Sequence, residues 1–447
     1  MVDILPFNGL RFDLNLTGAL SKIIAPPYDI ISPLQKQQLK DQSPYNIVNL
    51  TLPDDSNDKS RYENAKITLQ DFIKKGILKV DPEKCFYVFE EFFTDDDGRV
   101  LSFTGLVGLL KIEDYSAGKV LRHEKTLSKP KEDRLSLLNA CRTNFEFIYT
   151  IYNDSDAGVS NILDNEKKKE PLTYSDAAYD PLLKFKFWKI SDEKTLSVII
   201  KAMKSKTLLI ADGHHRYETS RLYSESLPAQ PRAYTGKTAD GEYIRPENCI
   251  LSLFVSANQK DISIHPTHRL VKFDRKISPE EIAEKIGKYF TLEEIPAAIA
   301  DIFGKMFSCS AEGKKCICIV FDNQTCCFAV LKTGIKSVYN DLNISLPEQF
   351  NEEFENLDVN ILHKLLLSIL LKDNKIADIK FIHTVSEIID SFDPKTRPTD
   401  FDAGFILNAP TIQTVENLSN KGLIMPQKST YFYPKPCSGL VIYAFDN

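Results

Sequence analysis

Apolar and aromatic runs of strand length recur along this chain, each cut short by Asn, Asp, Gly or Pro, and that punctuation narrows what it can fold into. CFYVFEEFF at 85–93 stops at DDDG, 95–98, and resumes as VLSFTGLVGLL at 100–110, the pattern of a β-hairpin. NFEFIYTIY at 144–152 and NCILSLFVSAN at 248–258 have the same character. Between such runs the spacing becomes helical. Leu135, Leu138 and Cys141 fall at three-residue steps, and SDEKTLSVIIKAMKSK, 191–206, reads as a helix opened by Ser191 with Glu193 in its first turn. The polar, lysine-rich stretch 153–183 is expected to be a surface excursion.

Beyond Arg269 the pattern changes. SPEEIAEKIGKYF, 278–290, predicts a capped helix, and KKCICIVFD and TCCFAVLK predict two strands around a turn. LDVNILHKLLLSILL, 357–371, is apolar almost all round and predicts a buried helix, while GLIMPQKSTYFYPK and SGLVIYAF predict strands returning to a sheet. With 447 residues, and roughly 100–200 per domain, the chain calls for two or three domains. The expectation is an α+β, mixed multi-domain architecture, divided as 1–110, 111–270 and 271–447.

Charge then limits function. Against 62 Asp plus Glu there are 56 Lys plus Arg, a formal charge of −6 that gives no global attraction to nucleic acid or to an anionic membrane. Any anion must be captured locally. No apolar run approaches the ~18 residues of a membrane span, and MVDILPFNGLRFDLN lacks the basic start of a signal peptide. The nine cysteines, an odd count, fit reducing cytoplasm better than a disulfide framework. Cys316 and Cys318, with Cys326 and Cys327, do not match a zinc-ligand spacing and read as buried strand residues.

The strongest local signal is TLLIADGHHRYETS, 207–220. An apolar strand ends, Gly213 permits a sharp turn, and His214, His215 and Arg216 follow where a new helix presents unpaired N–H groups. Helix start and guanidinium together suit phosphate. Asp212 is placed either to bind Mg²⁺ bridging those phosphates or simply to cap the helix. A second signal is LRHEKTLSKPKEDR, 121–134, where Glu124 among cations is a candidate base toward a hydroxyl and Lys125 or Arg134 a screen for phosphate charge; a solvated face is the alternative. Weaker candidates to line a site are Tyr28 and Asp29 after the two prolines of IAPPYDIIS, His268 and Arg269 in HPTHR, and Lys428 and Ser429 in MPQKSTYFYPK. The chain holds no GxxxxGK[ST], GxGxxG or GxSxG motif.

In order along the chain, PF at 6–7, APPYDIIS, HEKTLSKPKEDRL, ADGHHRYETS, PTHRL and MPQKSTYFYPK resemble the DUF1015 family, which is defined without an assigned function. Within it, DGHHR is similar to the phosphate motif of ParB/sulfiredoxin-like nucleotide-binding domains, above all the free L-serine kinases, which phosphorylate serine with ATP or ADP. That resemblance implies a ParB/sulfiredoxin-like core and a nucleotide-dependent small-molecule kinase. It makes Glu124, beside His123, the catalytic base and Asp212 a metal or substrate acid, with Gly213, His214, His215 and Arg216 as the phosphate cradle. The implied ligands are ATP or ADP, Mg²⁺ and a small acceptor such as L-serine. The alternative it leaves open is a ParB-like nucleotide-binding regulator without phosphoryl transfer. A metal-dependent hydrolase would rest on the histidines alone. Glu124 and Asp212 stand about 88 residues apart, so a shared site requires the intervening chain to loop away and return.

Overall fold

The computed structural model describes residues 2–446 except 57, 95–97, 127, 229–233, 239–240, 349, 373–374 and 396–399, and except the side chains of Ser128 and Lys129. The protein is α+β. It divides into two compact units, one formed by residues 1–262 together with 434–447 and the other by 263–433.

The first unit is built on a nine-stranded mixed sheet. Its spatial order is Val120–Leu121, Leu208–Asp212, Ile148–Tyr152, Cys249–Ser256, Val100–Lys111, Phe86–Thr94, Asp180–Ile190 and Thr173–Ala177, with Ile4–Leu5 pairing alongside Val100–Lys111. The hairpin read from 85–110 is present, with Tyr87 opposite Val107 and Thr94 opposite Val100. An expected domain boundary at 110 falls inside Val100–Lys111, and that strand pairs on its other side with Cys249–Ser256. The pairing makes residues 1–262 one folding unit rather than two. One face carries the core of Phe86, Val88, Leu106, Ile148, Ile210 and Phe254, covered by Val159, Leu163, Ile199, Met203 and Tyr217 from the helices. Each such side chain contributes about 1.5–3 kcal/mol through burial.

Two sequence readings change. The helix expected over 191–206 is Glu193–Met203, and its cap is Asp192 rather than Ser191, accepting from Thr195 N at 2.8 Å. The stretch 153–183 is no excursion. It forms the helix Gly158–Glu166, which places Val159 and Leu163 in the core, and the edge strand Thr173–Ala177. Its lysines mask this because they are satisfied locally: Lys167 reaches Glu90 at 2.9 Å and Lys169 reaches Glu166 at 2.6 Å.

The second unit has a six-stranded antiparallel sheet in the order Phe290–Pro296, Thr325–Leu331, Cys316–Val320, Ala403–Ile406, His268–Phe273 and Ile376–Ile382. The capped helix appears as Pro279–Ile286, with Ser278 accepting from Glu281 N. The paired strands Cys316–Val320 and Thr325–Leu331 are as read. Cys316, Cys318 and Cys326 face inward and pack with Ile302, Met306 and Cys309. The apolar stretch from 357 is helical from Asp358 to Leu370, including a wide π-helical turn over Ile361–Leu366. Among the described residues, no helix is long and apolar enough to cross a membrane.

Candidate functional site

The strand Leu208–Asp212 sends Leu208 and Ile210 into the core, and a register irregularity between Ile210 and Asp212 breaks the alternation before the acid. Such a break re-aims the next side chain. Gly213 follows with φ 94°, in the left-handed region, and the helix His214–Ser226 starts at once. A Cβ on Gly213 would lie 2.9 Å from Ile148 Cγ2 and 3.1 Å from Arg216 Nε, so glycine is required by both dihedral and space. No side chain caps this helix. The positive end of its dipole lies at this turn, where an anion is favoured.

Asp212 sits in a closed set of charges. Its Oδ2 accepts from Arg216 one turn on, at 2.6 Å, and its Oδ1 accepts from Lys435. Arg216 also donates to the Phe147 carbonyl at 2.8 Å. Lys435 Nζ lies 3.5 Å from Asp29. Burial acts to raise the Asp212 carboxyl, but the Lys435 and Arg216 cations more than offset it and hold the group well below the usual carboxylate range. The APPYD turn joins the same neighbourhood through Glu146, whose Oε1 accepts from Tyr28 N at 3.0 Å and from Ser438 Oγ at 2.9 Å. A sequence reading misses Glu146 and Ser438 as site residues and names Lys435 only among the polar residues packed around the aromatics of 425–435. For Lys435 the only signal was its place at the end of MPQKSTYFYPK.

The two distant motifs meet at the histidines. His123 is 1% exposed, hydrogen-bonds the backbone of Ile210, and stands edge-on to the His214 ring with centroids 4.6 Å apart. Its Nε2 is 3.8 Å from Glu124 Oε1. Burial depresses both imidazoles, that of His214 far below its ordinary value, where the neighbouring His123 ring also opposes its protonation. His214 is thus a neutral donor rather than a cation, and its buried Nε2 has no hydrogen-bond partner among the described residues. Arg216 and Lys435, paired with Asp212, are the cations that the described hydrogen bonds place at this turn.

The basic segment is mostly committed inside the protein. Arg122 and Lys131 both reach Glu218 on the helix, at 3.3 and 3.1 Å, and Thr126 joins them at 2.6 Å. Arg134 bonds Asp133 at 2.8 Å and the Thr51 carbonyl at 2.8 Å, and its guanidinium stacks 4.1 Å above the Tyr28 ring. Lys125 is exposed beside Glu124, and His215 is half-exposed on the first helical turn. His268, Arg269, Lys428 and Ser429 belong to the second unit and form a cluster of their own there.

A magnesium ion on Asp212 would have to displace a cation, since both carboxylate oxygens accept from one. Among the described residues no three His, Cys, Asp or Glu side chains gather as a metal-holding group. The arrangement does not fit a protein-held Mg²⁺, and no chemical step is drawn through one.

Fold and site together define an α+β protein whose first unit presents an uncapped helix start beside a charge-compensated acid. The DUF1015 family, described as a protein of unknown function, matches residues 4–360, and the chain belongs to it. No curated protein matches. Among solved structures the chain is similar to a free serine kinase in complex with AMP, at 14% identity over 72% of this chain and 88% of that one, with a TM-score of 0.35. It is also similar to SbnI with C-terminal truncation from Staphylococcus aureus, at 12% identity, 76% and 87% coverage and TM-score 0.34. A conserved hypothetical protein from Pyrococcus furiosus follows at 13% identity, 70% and 87% coverage and TM-score 0.32. At these scores the site must be argued from its own residues.

Proposed function

We propose that the first unit binds the phosphates of a nucleotide at the start of the helix His214–Ser226 and passes one phosphoryl group to a small hydroxyl compound, L-serine being the first acceptor to try. The observation that carries this reading is the junction of His123 and His214, 4.6 Å apart, which brings the His123–Glu124 pair up to the glycine turn. The helix start at Gly213, where the dipole favours an anion, and the unpartnered His214 Nε2 support it. Arg216 and Lys435 hold positive charge beside that turn. Glu124 takes the hydroxyl proton as the acceptor oxygen attacks the terminal phosphorus. The bond from that phosphorus to the bridging oxygen breaks, and the nucleotide leaves one phosphoryl group shorter with the electron pair. ATP and ADP are both candidate donors, and in this reading His215 and Lys125 steady their phosphates.

The test is incubation of the full chain with L-serine and either nucleotide, with and without Mg²⁺, followed by detection of O-phosphoserine. Glu124→Gln is expected to bind nucleotide like the wild type while losing about 10²–10⁴ in turnover, and Arg216→Ala to lose affinity. Nucleotide binding without a phosphorylated product, across L-serine and a panel of other hydroxyl compounds, would instead establish a binding regulator.

A further inference from the structure

The second unit contains a cavity of about 160 Å³, the room of roughly five liquid waters. Its walls include Thr267, Arg269, Asp358, Asn408, Thr411 and Ser429. Two of these stand out. Thr267 is 2% exposed and its hydroxyl has no hydrogen-bond partner among the described residues. Native proteins seldom leave such a group unsatisfied, and at a cavity wall it points to a missing ligand. Asp358 is the second. Its Oδ2 accepts only uncharged donors, from Asn408 N at 2.8 Å and Asn408 Nδ2 at 2.9 Å. Burial pushes its carboxyl up to about 6, and Lys315 is the weakest of the influences opposing that.

Positive potential enters from another part of the wall. Arg269 is wholly buried, donates to the Thr267 carbonyl and to the Lys428 carbonyl at 2.8 Å, and lies 4.8 Å above the Phe381 ring. Lys428 itself stands at φ 55°, an uncommon conformation for a lysine. After burial, the Arg269 charge is the main influence depressing His268, to about 3, and His363, to about 4. The helix Ile412–Asn420 also begins at this cavity, with Thr411 and Thr414 in the lining. A simple anion would meet the Asp358 carboxylate, and a simple cation would meet Arg269.

We infer that this cavity binds a small α-amino acid, its carboxylate toward Arg269, Thr267 and the helix start, and its ammonium group toward Asp358. The inference is independent of phosphoryl transfer in the first unit. L-alanine is the probe, because without a hydroxyl it cannot serve as a phosphoryl acceptor. Calorimetric titration of the full chain, without nucleotide, should show saturable binding of L-alanine, with acetate and methylamine each at least tenfold weaker. Asp358→Asn should weaken L-alanine at least tenfold and leave acetate no weaker, since it removes the carboxylate that repels a simple anion, and the near-isosteric Thr267→Val should weaken both. Circular dichroism checks that each variant is folded. No binding of L-alanine, glycine or L-serine to the wild type would overturn the inference. So would amino-acid binding that both variants leave intact, or acetate binding as tightly as L-alanine. None of these results touches the Glu124 test, and an inactive kinase leaves this titration unaffected.

Discussion

Asp212 and Asp358 are both acids withdrawn from water, one in each unit, and the protein treats their charges in opposite ways. Asp212 is held by Arg216 and Lys435 and stays ionised far into acid. Asp358 receives only the Asn408 amides and is pushed up to about 6. The first network is complete before any ligand arrives, so a ligand there must bind around the acid, at the helix start. The second keeps an uncompensated charge, which is what a ligand with an amine can relieve. A buried polar network thus reveals its use by what it leaves unmet.

The largest expected difference follows from removing one partner. Lys435→Met strips a cation from a buried carboxylate and should cost about 3–5 kcal/mol. Asp358→Asn keeps the shape and removes a disfavoured charge, and should destabilise by no more than about 1 kcal/mol. Urea denaturation of both variants measures this. Trp188 is the single tryptophan and lies in the first unit, so its fluorescence reports that unit while circular dichroism follows both. Equal losses in the two variants would break the contrast.

A smaller difference is expected at two glycines. Gly213→Ala meets both a left-handed φ and the 2.9 Å approach to Ile148, whereas Gly422, at φ 71° in the second unit, has nothing within 4 Å of an added Cβ. Gly422→Ala should therefore cost about 1–2 kcal/mol of conformational strain alone, and Gly213→Ala visibly more, with weaker nucleotide binding. Denaturant midpoints and a nucleotide titration check it.

The last difference is in the pH dependence, where the two acids act in opposite directions. Asp212 has a lowered folded value, so its contribution is present above about pH 4 and fades as pH falls toward that value. Asp358 is raised to about 6, so the folded state holds its proton longer than the unfolded chain and stability from this group declines as pH rises from about 4 through 6. Denaturation midpoints across pH 4–7 should fall less, or rise more, with pH in Asp358→Asn than in the wild type. An unchanged slope would remove the Asp358 side of the comparison.

What was legible in the sequence was local. The strand, glycine and helix of 207–220 could be read because every determinant lies within fourteen residues, and the hairpin of 85–110 because turn and alternation adjoin. The partnership of Asp212 with Lys435 was not legible, since 223 residues separate them and the aromatic segment that ends in Lys435 reads equally as a buried strand. The contact of His123 with His214 was hidden in the same way: it depends on the short strand Val120–Leu121 pairing parallel to Leu208–Asp212. The helix Gly158–Glu166 was missed because its apolar positions are few and the lysines beside it dominate the composition.

The division of the chain has a further consequence in time. Lys435 lies in the segment 434–447, which belongs to the first unit but is translated only after all of 263–433. Until the ribosome has delivered it, Asp212 has one cation instead of two, and the first unit lacks the backbone donor and hydroxyl that follow at Cys437 and Ser438 for Glu91 and Glu146. A chain interrupted anywhere in the second unit therefore carries an unfinished first one, and the helix start has its full set of neighbours only in a chain made through to that segment.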